Sequence, residues 1–182
     1  KIAVFGQMAP VPMAEFALYV TLGFGLWTFI STAIVEACQC YIHSANWVLG
    51  SNIPYPVFFL QMLFRNWLVF LLILMVMGVA LAWQRSGWSM VMLTALPGLV
   101  VFMFTPIWMA AILAPMCARH RDLMHAVQTV VRLLFFATPI IWMPEFNPML
   151  NRIAQYNLLT HYIEIVREPL IYDRVPMDSW LI

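Results

Sequence analysis

The chain has 182 residues, 64% of them hydrophobic and only 9% charged, with a net charge of +1. A soluble domain carries about 25% charged residues, so this composition argues against a water-soluble globule. There is no basic run to mark a nucleic-acid partner, so none is expected. The windows 16–35, 66–84 and 86–118 hold no charged residue at all. A bilayer core needs about 20 apolar residues per helix, so the reading is an all-α polytopic membrane protein. A membrane β-barrel would alternate polar and apolar residues along each strand, and these runs do not alternate.

Residues 1–13, with Pro10 and Pro12, read as a loop. The first span is placed at 14–40, with Gly23 and Gly25 for close helix contact and Glu36 near its far end. Next comes "YIHSANWVLGSNIPYP", residues 41–56, which is uncharged but polar and is broken by Gly50, Pro54 and Pro56. It predicts a short helix along the membrane surface followed by a turn. The second span is placed at 57–83, with Arg65 and Asn66 in its first third. The tight "QRSG" turn, 84–87, returns the chain antiparallel. The third span, 88–117, carries Pro97, Pro106 and Pro115, so neighbouring helices must satisfy the backbone groups those prolines free.

The polar loop "ARHRD", 118–122, leads into a fourth span at 123–142 that contains Arg132. Beyond Pro144 and Glu145 charged residues return. A short helix is expected at 149–156, and a second over "LLTHYIEIVREPLI". In the latter, Leu158, Tyr162, Ile165 and Val166 recur at helical spacing, with His161, Glu164, Arg167 and Glu168 on the other face. Two short amphipathic helices after a proline break fit a hairpin at the interface. The chain opens without an initiator Met and reads as an internal piece of a longer protein, lacking a helix at each end.

A charged side chain near the bilayer centre costs at least about 2.5–3.5 kcal/mol, so the intramembrane charges carry the signal. Arg132 lies roughly 13 Å along its helix from Leu123, close to mid-membrane. It is expected to face a partner or a wet cavity. Glu36 is one partner for it, and Arg65 competes for the same carboxylate. Such charges either fix helix packing or line a path for an anionic or hydroxyl-rich substrate. Trp27, Phe135 and Phe136 are candidates to face that path, although most aromatics in such a chain pack in the core or against lipid.

Other chemistry is weakly represented. Lys1 is the single lysine, so a phosphate-binding loop of the G-x-x-x-x-G-K-[ST] type is impossible here. Cys117, His120, Asp122 and His125 match no common zinc spacing, and no metal is expected. Cys38, Cys40 and Cys117 do not form a disulfide framework. No Ser or Cys sits at a catalytic motif spacing. An enzyme using His161, Glu164 and Arg167 is the alternative from another class. Charge counting in the loops leaves the orientation open.

The order of features resembles the ABC-2 type permeases that export O-antigen, capsule and teichoic-acid polysaccharides. "GFGLWTFISTAIVEACQCYIHSANWVLGSNIPYPVFFL", "ARHRDLMHAVQTVVRLLFFATPIIWMPE" and "NLLTHYIEIVREPLI" are similar to three of the family's signatures, in the same order. The resemblance implies a six-span fold of which this piece holds spans two to five. It implies a coupling helix at His43, Ser44, Ala45, Asn46, Trp47, Val48 and Leu49 that docks on an ATPase. It implies a pair of outer gate helices at 146–171, entered past Pro139, Pro144 and Glu145 and including His161, Glu164 and Arg167. Loops 41–56 and 118–122 would be cytoplasmic.

The implied assembly has two copies of this permease and two copies of a separate ATPase that binds ATP and Mg, with no cofactor in this chain. The implied function is export of a glycan, such as lipid-linked O-antigen or capsule, across the bacterial cytoplasmic (inner) membrane, with no covalent chemistry in the permease. A related exporter of lipids or drugs is the nearer alternative.

Overall fold

The computed structural model describes residues 13–44, 50, 54–84, 90–142, 152, 154–172, 174 and 179. Among them all regular structure is helical. Helix α1 runs Met13–His43 and α2 runs Tyr55–Gln84. A short 3₁₀ helix, Met90–Thr94, leads into α3, Ala95–Arg119. Then come α4, Arg121–Ala137, and α5, Leu158–Ile171.

Three stretches are long and apolar enough to cross a membrane: Glu15–His43, Pro56–Trp83 and Met90–Arg119. In α1, 56% of the apolar window is buried, against 22% in α2, so α1 is the central helix. It packs chiefly on α3 and α2, and also touches α4 and α5. Leu22, Leu26, Phe29 and Ile30 of α1 form the core with Phe70, Phe102, Ile163 and Val166. A second cluster uses small residues, Ala37, Cys40, Ala110 and Ala114, around Met62 and Leu63. Small side chains let helix backbones approach closely where lipid supplies no hydrophobic drive. Gly25 does the same against α2: a Cβ there would lie 3.0 Å from Ile73 Cγ2.

The prolines of α3 sit in different settings. Pro97 sits in the first turn, where a missing N–H costs nothing. Pro106 lies mid-helix and cannot donate to the carbonyl four residues back. On either side of that carbonyl, Val101 O accepts from Tyr162 Oη at 3.1 Å and from Thr105 Oγ1 at 3.1 Å. Met103 O accepts from Trp67 Nε1 at 3.0 Å. Side chains from α2 and α5 thus bond the α3 backbone on both sides of the carbonyl that Pro106 leaves without its helical donor.

Several boundaries differ from the sequence reading. Helix α1 continues through Tyr41, Ile42 and His43, which were expected in the loop 41–56, and the third span, expected from 88, opens as the 3₁₀ turn Met90–Thr94 before α3 begins at Ala95. The five-residue loop expected at 118–122 shrinks to His120 alone, in an extended conformation, with its N–H on Met116 O at 3.0 Å. Arg119 ends α3 and Asp122 lies in the first turn of α4, and each of these two charges complements its own helix dipole. The fourth helix stops at Ala137 and does not continue to Trp142. Pro139 forces this, because the residue before a proline is pushed out of the α region. Thr138 is extended, and its hydroxyl and N–H both return to Leu134 O.

Candidate functional site

Antiparallel packing of α1 on α2 brings the last third of one beside the first third of the other. Arg65 Nη2 lies 2.9 Å from Glu36 Oε1, and Arg65 Nε donates to Glu36 Oε2 at 3.3 Å. Asn66 Nδ2 donates to the same Oε2 at 2.7 Å and is itself buried. Of the two partners considered for Glu36, Arg65 therefore takes the carboxylate and Arg132 does not. At the end of α1, His43 is exposed and Ser44 Oγ donates to Cys40 O at 2.8 Å. The remainder of the expected coupling helix, Ala45, Asn46, Trp47, Val48 and Leu49, lies outside the described residues.

Arg132 is turned away for a geometric reason. Val127, Val131, Leu134 and Phe135 recur at helical spacing and pack α4 against the core. The opposite face exposes Arg121, His125, Thr129, Arg132 and Phe136. These positions recur every three or four residues, so they form one stripe along the helix. Among the described residues Arg132 has no hydrogen bond or ion pair, and it faces outward from this chain. Trp27 is a core residue, 6% exposed, with its ring 5.8 Å from that of Phe135. Phe135 also meets Phe24 edge-on at 6.4 Å, so of the three aromatic candidates only Phe136 stands fully on the outer face.

The opposite end holds a second cluster, built on the bend after α4. Arg167 is 3% exposed, so the charged side of α5 is not simply its wet face. Its guanidinium lies 4.0 Å over the Tyr19 ring and donates through Nη1 to Pro139 O at 2.7 Å. Gly23 leaves room for it: a Cβ there would lie 3.4 Å from Nη1. Tyr19 Oη donates to Pro139 O at 3.1 Å, with Trp142 O at 3.3 Å. Glu164 Oε1 stands 3.9 Å from Arg167 Nη2, and Glu164 Oε2 stands 3.6 Å from His161 Nδ1. His161 Nε2 also meets Gln155 O at 2.9 Å. Pro144 and Glu145 lie outside the described residues.

Asn157 ties the same bend to α5. Its Oδ1 accepts from Leu159 N at 3.0 Å, capping the helix, while its Nδ2 donates to Thr138 Oγ1 at 2.9 Å. Nearby, Tyr162 stacks on Phe102 and shares a hydrogen bond with Thr105. Burial pushes the Tyr162 hydroxyl above the usual phenol range, against a smaller opposing effect of Thr105.

Tyr19, Asn66, Thr138 and Asn157 were not singled out for these roles from the sequence. An Asn just before a periodic apolar run is a helix N-cap signal, and that signal marks Asn157. Tyr19 gave a fainter one, since a buried Tyr hydroxyl usually finds a partner. Cys38, Cys40 and Cys117 are free and buried. His120 and His125 are exposed, apart from the buried Cys117, and no metal-binding group occurs among the described residues. No known family matches the chain, and no curated protein matches it.

Proposed function

We propose that this chain is the membrane-spanning permease of an ATP-driven exporter, moving a polysaccharide across the bacterial cytoplasmic membrane. The observation that carries the reading is the outward stripe of α4, with Arg132, unpaired among the described residues, in it. A helix in a membrane does not leave an arginine toward lipid; such residues face a bundle interior or a wet cavity. In a pair of these chains the stripe faces a shared aqueous path. Arg132, Thr129 and His125 then offer hydrogen bonds to sugar hydroxyls or acidic groups, and Phe136 offers an aromatic face. In this reading α4 is the fourth span. Its 17 residues sit at the short end of the range of about 17–25 that suffices to cross.

The sequence resemblance supplies the rest. ATP and Mg belong to two partner ATPase subunits, which push on the segment beginning at His43 and Ser44. The α4 bend and α5 form part of the outer gate. The substrate is a glycan of the O-antigen or capsule kind, carried on a lipid. The alternative enzyme reading is weaker, because Arg167 spends its charge on Tyr19, Glu164 and Pro139 and is closed to a substrate.

Co-purification tests the assignment. The chain, expressed with the ATPase encoded beside it, is expected to form a stable complex whose ATP hydrolysis rises on addition of the glycan. Absence of both the complex and the stimulation would remove the proposal.

A further inference from the structure

A cleft of about 300 Å³ opens between the last turns of α1 and the first turns of α2. Its polar lining is Glu36, Gln39, His43, Ser44, Gln61 and Arg65. Arg65 has five N–H donors, of which Glu36 engages two in a fork. The rest have no partner among the described residues, and the side chain is 65% exposed. The side-chain amides of Gln39 and Gln61 likewise have none. Glu36 thus aims Arg65 and cancels its charge. What remains is a set of directed donors with little net field.

The other wall is apolar. Phe64 and Leu68 line the cleft, and both are largely exposed. Leu71, Leu72 and Met75 continue the same exposed face up α2 at helical spacing. Depth agrees with the chemistry. Helix α2 is about 45 Å long against a hydrocarbon core of about 30 Å, leaving roughly 7 Å in the headgroup zone at each end. Gln61 lies roughly 9 Å from the start of α2 and Arg65 roughly 15 Å, within the reach of a side chain that extends toward the interface.

We propose that this cleft binds a bilayer phospholipid. Arg65, Gln61 and Gln39 hold its phosphodiester, and an acyl chain lies along Phe64, Leu68 and Leu72. The phosphate, not the headgroup beyond it, is what the donors recognise. The inference stands on α1 and α2 alone and does not depend on the transport reading.

The test uses the full chain purified in detergent, stripped of lipid, and followed by its thermal unfolding midpoint. Short-chain phosphatidylglycerol and phosphatidylcholine are both expected to raise the midpoint. Diacylglycerol of the same chain length and inorganic phosphate are expected to leave it unchanged. Arg65→Gln and Gln61→Leu each lower the apparent phospholipid affinity about tenfold, the scale of one hydrogen bond to a charged group, and Arg65→Lys retains part of it. If loss of the Glu36 pair prevents Arg65→Gln from folding, Gln61→Leu, at an exposed position, decides. Equal protection by diacylglycerol, protection by inorganic phosphate alone, or wild-type affinity in Gln61→Leu would overturn the proposal.

Discussion

Arg167 lies over the ring of Tyr19 at 4.0 Å, and both side chains donate to one acceptor, the carbonyl of Pro139. Three elements meet at this point: α1 through Tyr19, α5 through Arg167, and the bend after α4. A buried cation normally needs a counter-charge. Here Glu164 is near but not close, and the aromatic face and the carbonyl share the task. Among the described residues Arg167 Nε has no partner. Arg167 thus shares the holding of the bend with Tyr19 and Asn157, while its own burial is incompletely compensated.

Arg167→Gln is expected to lower stability by about 2–3 kcal/mol, the cost of a lost hydrogen bond from a charged group in a buried site. Tyr19→Phe keeps the ring under the cation and loses only the hydroxyl bonds, costing about 1 kcal/mol. Unfolding in detergent, monitored by tryptophan fluorescence, checks both values. Equal losses in the two variants would show that the hydroxyl, not the cation, holds the bend.

Asn157 performs two jobs with two atoms. Asn157→Ala removes the cap and the tie to Thr138, and is expected to cost about 1–2 kcal/mol. Asn157→Asp keeps an N-cap acceptor but loses the donor, so its cost is expected to be smaller. Amide hydrogen exchange at Leu159 and Thr160 distinguishes them: both amides lose protection in Asn157→Ala, and Leu159 keeps it in Asn157→Asp.

At Gly98, α3 and α5 approach closely. A Cβ there would lie 2.7 Å from Ile165 Cγ2 and 3.0 Å from Val166 Cγ2. Gly98→Leu is expected to cost about 1–3 kcal/mol through overpacking. A compensating Ile165→Ala in the same chain restores part of the loss, which a thermal-stability double-mutant cycle reads directly.

Among the described residues Arg132 makes no hydrogen bond or ion pair, so Arg132→Gln is expected to change stability by no more than about 0.5 kcal/mol. Under the proposed function, export, measured in cells as glycan reaching the outer surface, is expected to fall several-fold. A large drop in stability with export preserved in the remaining folded protein would assign Arg132 to packing between copies instead of to the path.

Three long helices were legible because a charge-free apolar run admits few other structures in lipid. Their limits shifted by only a few residues, since caps and prolines punctuate the runs. The fourth helix was legible as an element but not in extent, because the Thr138-Pro139 effect on the backbone competes with apolar residues that continue to Trp142. Side-chain partners were less accessible. Glu36 had two arginines within reach along the sequence, and only the antiparallel register of α1 and α2 decides for Arg65. The outward turn of Arg132 follows from Val127, Val131 and Leu134 claiming the inner face, a pattern present in the sequence once the helix is drawn. The burial of Arg167 had no local signal at all. It depends on Gly23 and Tyr19, more than 140 positions away in the chain.

The most direct measurement is ATP-dependent movement of glycan into sealed inside-out membrane vesicles that contain this chain and the proposed partner ATPase. The account predicts accumulation in the lumen that requires ATP and both subunits, and that falls with Arg132→Gln. Lumenal glycan that stays at the no-ATP level, with an ATPase that is active and bound to the chain, would contradict it.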